Sequence, residues 1–314
     1  MEYTVEDVSY LSSNQINYIK GKIYVPKIDN IKGIIQVVHG MCEYFGRYIK
    51  FIEYMVAQGY IVCGHDHLGH GATVTNSEDY GFFAKEYGYN CLIRDTYSLI
   101  KIVKEKYPNL KYTILGHSMG SFITRCYMYT YGNDVDSVIV SGTMGPIRII
   151  DAGILLAEEI VKRKGERYRS KKIMKLAFKA LNIKIKFSRT KYDWVSRDIY
   201  IDKAYSNDKF GNIIFTASGF RDLFKLVKLA NYKMSIQRMR KDLPIFIISG
   251  DKDPIGNYGK GVTKAYEVLK EAGCNAKIKL YKNGRHEMLN EINADRVYQD
   301  IFLWIEEVNK TKKK

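Results

Sequence analysis

Short apolar runs recur along the chain and alternate with segments of helical periodicity. Two runs near the N-terminus, Tyr3–Ser9 and Ile16–Tyr24, predict an antiparallel edge of a sheet. Most of the later runs are apolar enough to be strands buried on both faces. These later runs are Ile34–Val38, Ile61–His65, Tyr112–Leu115, Ser137–Val140, Ile245–Ser249 and Ala276–Tyr281.

Helical segments fit between these runs, and two of them have clear end signals. Tyr89–Lys106 is stopped by Pro108, and Gly261–Ala272 is followed by Gly273, which suits a left-handed cap. A last amphipathic helix is predicted from about Asp295 to Val308. The alternation predicts an α/β fold, with a mostly parallel central sheet and helices on both faces.

The rhythm breaks once, over residues 143–232, which carry helical periodicity but no convincing buried strand. This insertion divides the chain into a first core part, 1–142, and a second core part, 233–314. Met174, Phe178, Leu181 and Ile185 are spaced to share one helical face. Alternation over residues 183–187 leaves a short strand as the other interpretation there.

The formal charge of the chain is +16, and its distribution argues against nucleic-acid binding. Between Thr143 and Arg240 there are 23 Lys and Arg against 9 Asp and Glu, a net +14, and Lys310 and Lys312–Lys314 add four more positive charges. The rest of the chain is near neutral, so the basic character belongs to the insertion. Charge runs of this kind usually only keep an outer face solvated. The more specific hypothesis is that the insertion docks on an anionic lipid surface.

Targeting and cysteine signals are weak. No apolar stretch approaches the roughly 18 residues of a membrane span, and the acidic start does not resemble a secretory signal, so a cytoplasmic location is expected. The five cysteines are widely spaced without a Cys-x-x-Cys pair, which predicts reduced thiols rather than disulfides or a metal site.

The segment Gly116-His117-Ser118-Met119-Gly120 lies between a predicted strand and the helical run Ser121–Tyr131. A G-x-S-x-G sequence in this setting forms a sharp turn that exposes the serine hydroxyl, with glycine needed at both ends because side chains there would meet neighbouring backbone. Ser118 is therefore the candidate nucleophile.

A serine hydroxyl needs a base, and in folds with this turn the base follows the serine in sequence. His286 alone among the six histidines lies C-terminal to Ser118, on a loop after a predicted strand. Elimination and chain order make His286 the candidate base.

The acid that orients the histidine should lie between these two residues. Gly250-Asp251-Lys252-Asp253-Pro254 follows a predicted strand and supplies two carboxylates. We favour Asp253, because Asp251 is better placed to cap the turn with backbone bonds. Asp251 remains the alternative.

Backbone N–H groups of Met119 and Met41 are the candidate oxyanion donors, with Gly40 in the loop after the strand beside the elbow. The nearby run His65-Asp66-His67-Leu68-Gly69-His70-Gly71 lacks the spacing of a metal hydrolase, and a hydrogen-bonded turn is the favoured interpretation. We expect neither a metal nor a cofactor.

Taken together, these motifs resemble the monoglyceride lipase and lysophospholipase branch of the α/β-hydrolases, whose domain is often labelled serine aminopeptidase S33. The resemblance is carried by His39–Tyr44 with Arg47-Tyr48, Asp66–Gly71, Gly116–Gly120, Gly250–Pro254 and Arg285–Glu287, in the family's order.

The resemblance implies a triad of Ser118, Asp253 and His286, an oxyanion hole at Met41 and Met119, and a lid formed by the insertion. Asp193–Asp198 and Gly219–Phe224 are similar to lid segments of bacterial members.

The resemblance also implies hydrolysis of monoacylglycerols, lysophospholipids or smaller esters without a cofactor. The alternatives are an acyltransferase, amidase or peptidase that uses the same triad, and a ligand-binding homologue without turnover. For the basic lid, the lipid-surface hypothesis places Arg163, Lys164, Arg167 and Lys171 at anionic headgroups and Met174 and Phe178 toward the acyl chains.

Overall fold

Eight strands form one sheet in the computed structural model, which describes residues 2–178, 181–185, 188–201, 203, 208, 210–211 and 213–311. The strands are β1 (Tyr3–Leu11), β2 (Tyr18–Pro26), β3 (Gly33–Val38), β4 (Tyr60–Asp66), β5 (Tyr112–His117), β6 (Ser137–Ser141), β7 (Ile245–Gly250) and β8 (Ala276–Tyr281). Each coincides with a predicted strand, although β2 begins at Tyr18 rather than Ile16.

The strand order is β1-β2-β4-β3-β5-β6-β7-β8. β1 pairs with β2, and β2 with β4, in antiparallel register, and all other neighbours are parallel. Side chains of β3 alternate between two hydrophobic cores, with Ile34 in one and Ile35 in the other. Both faces of the central strands are therefore buried, as the continuous apolar runs predict.

Helices cover both faces of the sheet. They are α1 (Ile49–Ala57), α2 (Gly88–Lys106), α3 (Met119–Tyr131), α4 (Ile150–Lys164), α5 (Lys171–Phe178), α6 (Ala217–Ala230), α7 (Lys233–Arg238), α8 (Lys260–Glu271) and α9 (Ala294–Thr311). α1 and α9 pack on one face, and α2, α3 and α8 on the other. Gly273 ends α8 with a φ of 80°, the left-handed cap that the sequence predicts. None of the helices that the structure describes is long and apolar enough to cross a bilayer.

The insertion contributes α4, α5 and α6 between β6 and β7. The predicted helical face through Leu181 and Ile185 is wrong, because α5 ends at Phe178 and residues 181–184 form turns. Ile183 and Lys184 lie in those turns rather than in a strand, and residues 186–187 of the alternative strand fall outside the described residues, as does Lys312–Lys314.

Arg125 of α3 is fully buried and ties both ends of the insertion to the core. Its guanidinium donates to the hydroxyl of Thr143 (3.2 Å) and the carbonyl of Met144 (2.9 Å) at one end. It also donates to the carbonyl of Ala230 (2.7 Å) and the side-chain oxygen of Asn231 (2.9 Å) at the other end. Since an uncompensated buried charge is costly, these oxygens hold the insertion's two ends at one point on α3.

Candidate active site

Three loops meet at the carboxyl edge of the parallel strands. They follow β5, β7 and β8 and carry Ser118, Asp253 and His286. The register aligns the strand ends, since His117 pairs with Ser141 across β5 and β6. The sheet thus brings together three residues that are far apart in sequence.

Ser118 lies in the turn between β5 and α3 with φ 52° and ψ −118°, a backbone conformation that residues other than glycine rarely adopt. Its N–H donates to the carbonyl of Ser141 at 2.9 Å.

The two glycines of the elbow are close to neighbouring backbone. A Cβ at Gly120 would lie 2.0 Å from the carbonyl oxygen of Val38, and a Cβ at Gly116 would lie 2.3 Å from the carbonyl oxygen of Gly120. Close packing therefore explains both glycines of the elbow.

His286 connects the other two side chains. Its Nε2 lies 2.9 Å from Ser118 Oγ, and its Nδ1 lies 2.9 Å from Asp253 Oδ2. Asp253 is fully buried and also accepts hydrogen bonds from the N–H of Ile255 (2.8 Å) and the hydroxyl of Ser249 (3.2 Å). A carboxylate held in this way can fix the imidazole tautomer with Nε2 free to accept the serine proton.

Asp251, the alternative acid, has a different role in the structure. Its Oδ1 accepts a hydrogen bond from the backbone N–H of Asn283 at 2.7 Å, and it lies 3.9 Å from Lys252 Nζ. The structure therefore places Asp253, and not Asp251, against the histidine.

The electrostatic surroundings of His286 favour its protonated form. Burial of the imidazole opposes protonation, but attraction and hydrogen bonding to Asp253, with attraction to Glu287 and Glu43, outweigh burial and raise the pKa of His286 above its ordinary value. An imidazolium formed during reaction would be stabilised by the same groups.

The candidate oxyanion donors border the same space. Met41 and Met119 line the cavity beside Ser118, and their backbone N–H groups donate to none of the residues that the structure describes. Gly40 precedes Met41, and its N–H donates to Glu43 Oε1. Two unengaged N–H groups beside a serine hydroxyl suit the charge that develops on a carbonyl oxygen under attack.

A buried polar network, not assigned from the sequence, joins the loop after β3 to the histidine loop. Arg47 donates to both carboxylate oxygens of Glu287 (2.8 and 2.9 Å) and lies 3.5 Å from Glu43. Glu43 also accepts from Tyr48 at 2.8 Å. Burial, reinforced by repulsion from Glu287, raises the pKa of Glu43 to about 7. Glu43 and Arg47 belong to one of the sequence motifs that resemble the family, and that resemblance is the signal by which they could have been found.

The histidine-rich turn after β4 makes hydrogen bonds with the loop after β3. His70 Nε2 accepts the N–H of Cys42 (3.2 Å), and His39 Nε2 accepts the N–H of His67 (3.0 Å). His39 Nδ1 lies 2.8 Å from the carbonyl oxygen of Gly40. Burial lowers the pKa of His70 to about 4, so the ring is neutral near pH 7 and can accept that bond. These contacts are those of the hydrogen-bonded turn predicted from the sequence.

A cavity of about 1200 Å³ opens from Ser118 and His286 toward the insertion. Its lining is mainly apolar and includes Phe122, Ile147, Leu156, Met174, Phe178 and Leu223. Pockets for drug-sized ligands measure about 300–1,000 Å³, so this space has room for a long acyl chain.

Comparison with known proteins matches this architecture. A family model described as serine aminopeptidase, S33, covers residues 29–293. The chain belongs to this family. A monoglyceride lipase homologue of monkeypox virus is 26% identical over 294 residues, covering 92% of this chain and 94% of that protein. A monoacylglycerol lipase of Mycolicibacterium smegmatis is 25% identical over 287 residues, covering 90% and 91%.

Among solved structures, a thermostable carboxyl esterase from Bacillus coagulans in complex with glycerol has a TM-score of 0.92 and 30% identity, covering 98% of this S33 chain and 99% of its own. The predictions of an α/β-hydrolase fold, of the monoglyceride lipase-like branch and of a hydrolase enzyme are confirmed.

Proposed function

We propose that this S33 hydrolase cleaves carboxylic esters through an acyl-enzyme on Ser118. The hydrogen bonds at 2.9 Å on both sides of the His286 ring carry the proposal. Ser118 Oγ attacks the ester carbonyl while His286 takes its proton, and the N–H groups of Met41 and Met119 stabilise the oxyanion. His286 then gives the proton to the leaving alcohol, and water resolves the acyl-enzyme by the same route.

The substrate class we propose is monoacylglycerols, lysophospholipids or smaller acyl esters. The apolar cavity of about 1200 Å³ supports an aliphatic acyl group, and relatives named monoglyceride lipase support a glycerol ester. Glu43 and Glu287 are polar groups in the lining near Ser118, where an alcohol with free hydroxyls would lie.

A series of p-nitrophenyl esters, run beside monoacylglycerol and lysophospholipid, tests the proposal. Each buried methylene contributes about 0.8 kcal/mol, so we expect kcat/KM to rise about fourfold per added carbon until the chain fills the cavity. Ser118→Ala should abolish turnover and labelling by a fluorophosphonate. A preference for acetate with no gain on lengthening would contradict the acyl site, and acyl transfer to an added alcohol or amine in preference to water would favour a transferase.

We further propose that the insertion docks on an anionic lipid surface, with a changed set of residues. Arg163 pairs with Glu159, and Arg167 pairs with Asp79 and lies over the ring of Phe82. Lys164 lies over the ring of Tyr168, and Met174 and Phe178 line the cavity, so these groups already have neighbours within the chain and the proposal is not built on them. Lys171 alone is retained from that set.

Lys171, Lys172 and Lys175 form the basic face of α5. They are exposed and have no ion-pair partner among the residues that the structure describes. Two exposed apolar side chains line the same cavity as Lys175, Leu176 at 65% exposure and Ile149 at 75%. Lysines unpaired within the described part of the chain, on the helix that also presents an exposed apolar residue to the cavity, suit a surface of anionic headgroups above acyl chains.

Sedimentation with lipid vesicles tests this docking. Each lysine contributes about 1 kcal/mol at such a surface, so the chain should bind anionic vesicles at low salt and leave them as salt rises. Replacing Lys171, Lys172 and Lys175 with glutamine should weaken binding about 10²-fold, while turnover of a short soluble ester stays constant.

The matched control removes the same charge from outside the insertion, through glutamine at the exposed Lys260, Lys270 and Lys282. Equal binding to neutral and anionic vesicles, or an equal loss in both triple variants, would overturn the assignment of this face.

A further inference from the structure

One segment of the insertion, Asp193–Arg197, lies directly against the loop that carries His286. The N–H of His286 donates to the carbonyl of Trp194 at 3.3 Å, and the N–H of Glu287 donates to the carbonyl of Val195 at 2.8 Å. We call this segment the strap. These backbone bonds join the insertion to the histidine loop at the residue that contacts Ser118.

Side chains reinforce the attachment. Arg285 Nη1 donates to the carbonyls of Asp193 and Ser196. Arg197 Nε forms an ion pair at 2.9 Å with Glu291, whose side chain is fully buried. Glu291 also accepts the N–H groups of Arg197 (3.2 Å) and Arg285 (2.9 Å), so one carboxylate holds both segments.

The strap places Trp194 over the imidazole. The ring centroids of Trp194 and His286 are 5.2 Å apart, with planes inclined by 40°. The ring of His117 lies 4.8 Å from that of His286. The imidazole is thus in contact with two aromatic rings as well as its two hydrogen-bond partners, and it is only 3% exposed.

We propose that Trp194 is a positioning residue for His286, and that the strap belongs to the catalytic framework rather than to a cover that opens. The proposal rests on the proposed role of His286 as base. Hydrogen bonds through Nδ1 and Nε2 hold the two nitrogens of His286 but still allow the ring to tilt about the line that joins them. Contact with the Trp194 ring limits this tilt. A misplacement of about 1 Å can cost about 10²-fold in rate.

The first test separates kcat from KM on p-nitrophenyl acetate, whose acyl group is too short to need the distal cavity. Trp194→Ala should lower kcat about 10²-fold with little change in KM, and Trp194→Phe should recover most of the loss because a ring is restored. Equal loss of kcat in the Phe and Ala variants, or a loss confined to KM, would overturn the positioning role.

A double-variant cycle asks whether Trp194 acts through the histidine. Adding Trp194→Ala to His286→Ala should leave the residual rate unchanged, because there is no imidazole left to position. A further drop of about 10²-fold would mean that Trp194 acts on the substrate or on the fold. Full activity of His286→Ala alone would instead refute the proposed function, so the two failures are distinguishable.

The strap itself is tested with matched arginines of the insertion. Arg197→Met should lower kcat about tenfold, because it removes the ion pair with Glu291 and leaves the strap held there only by a backbone bond. Arg163→Met removes an exposed arginine whose carboxylate partner, Glu159, lies on the same helix, and should not change kcat. Indistinguishable kcat values in the two variants, with equal thermal stability, would overturn the role of the strap.

Discussion

Replacing Ser118 or His286 with alanine is expected to lower kcat about 10⁶-fold, and replacing both is expected to lower it little further. The hydrogen bond of 2.9 Å between Oγ and Nε2 makes the two residues one unit, because the hydroxyl is a weak nucleophile without the base and the base has no other proton to take. Steady-state kinetics on a soluble ester, for both single variants and the double variant, measure the effect.

Ser137→Ala is the matched control for this prediction. Ser137 is buried and begins β6, at the end of the strand opposite to the site. It should keep its activity. Losses that multiply in the double variant, or a Ser118→Ala protein that retains a tenth of its kcat, would show that the reaction does not use this pair.

Asp253→Asn is expected to lower kcat about 10⁴-fold, because the neutral amide no longer enforces the productive tautomer of His286. It also removes the charge that raises the pKa of His286. Since the base must be neutral to act, activity falls as pH drops through this pKa, which lies above its ordinary value in the unmodified protein. In Asp253→Asn the acidic limb of the kcat/KM profile should therefore shift to lower pH.

Asp251→Asn supplies the control, because an asparagine oxygen can still accept the N–H of Asn283. It should cost only a few-fold in kcat with an unshifted profile. A greater loss at Asp251 than at Asp253 would reverse the assignment of the acid.

The sheet could be predicted from the sequence because its central strands are buried on both faces, which leaves continuous apolar runs such as β3. The positions of Ser118 and His286 followed from short-range signals. Two close-packed glycines mark the elbow, and only one histidine follows it.

Other contacts between distant parts of the chain could not be predicted in this way. Arg47 and Glu287 are 240 residues apart in two separate motifs, and nothing in either motif predicts that their side chains meet. Trp194 likewise gives no local sign that it lies on the histidine. The end of α5 was missed because apolar residues continue at helical spacing into the turns that follow Phe178.

The contacts of Arg125 bear on how such an enzyme can diversify. Because one guanidinium reaches both Met144 and Ala230, the chain leaves the α/β core and returns to it at nearly the same point. The free-energy cost of closing a loop grows by only about 0.6 kcal/mol for each doubling of the loop length. An insertion of another length and composition can therefore replace this one at little cost to the stability of the sheet. Such an exchange would also remove the segment that covers His286. Proteins with a replaced insertion should therefore fold more readily than they regain activity, unless the new segment supplies an aromatic side chain at the position of Trp194.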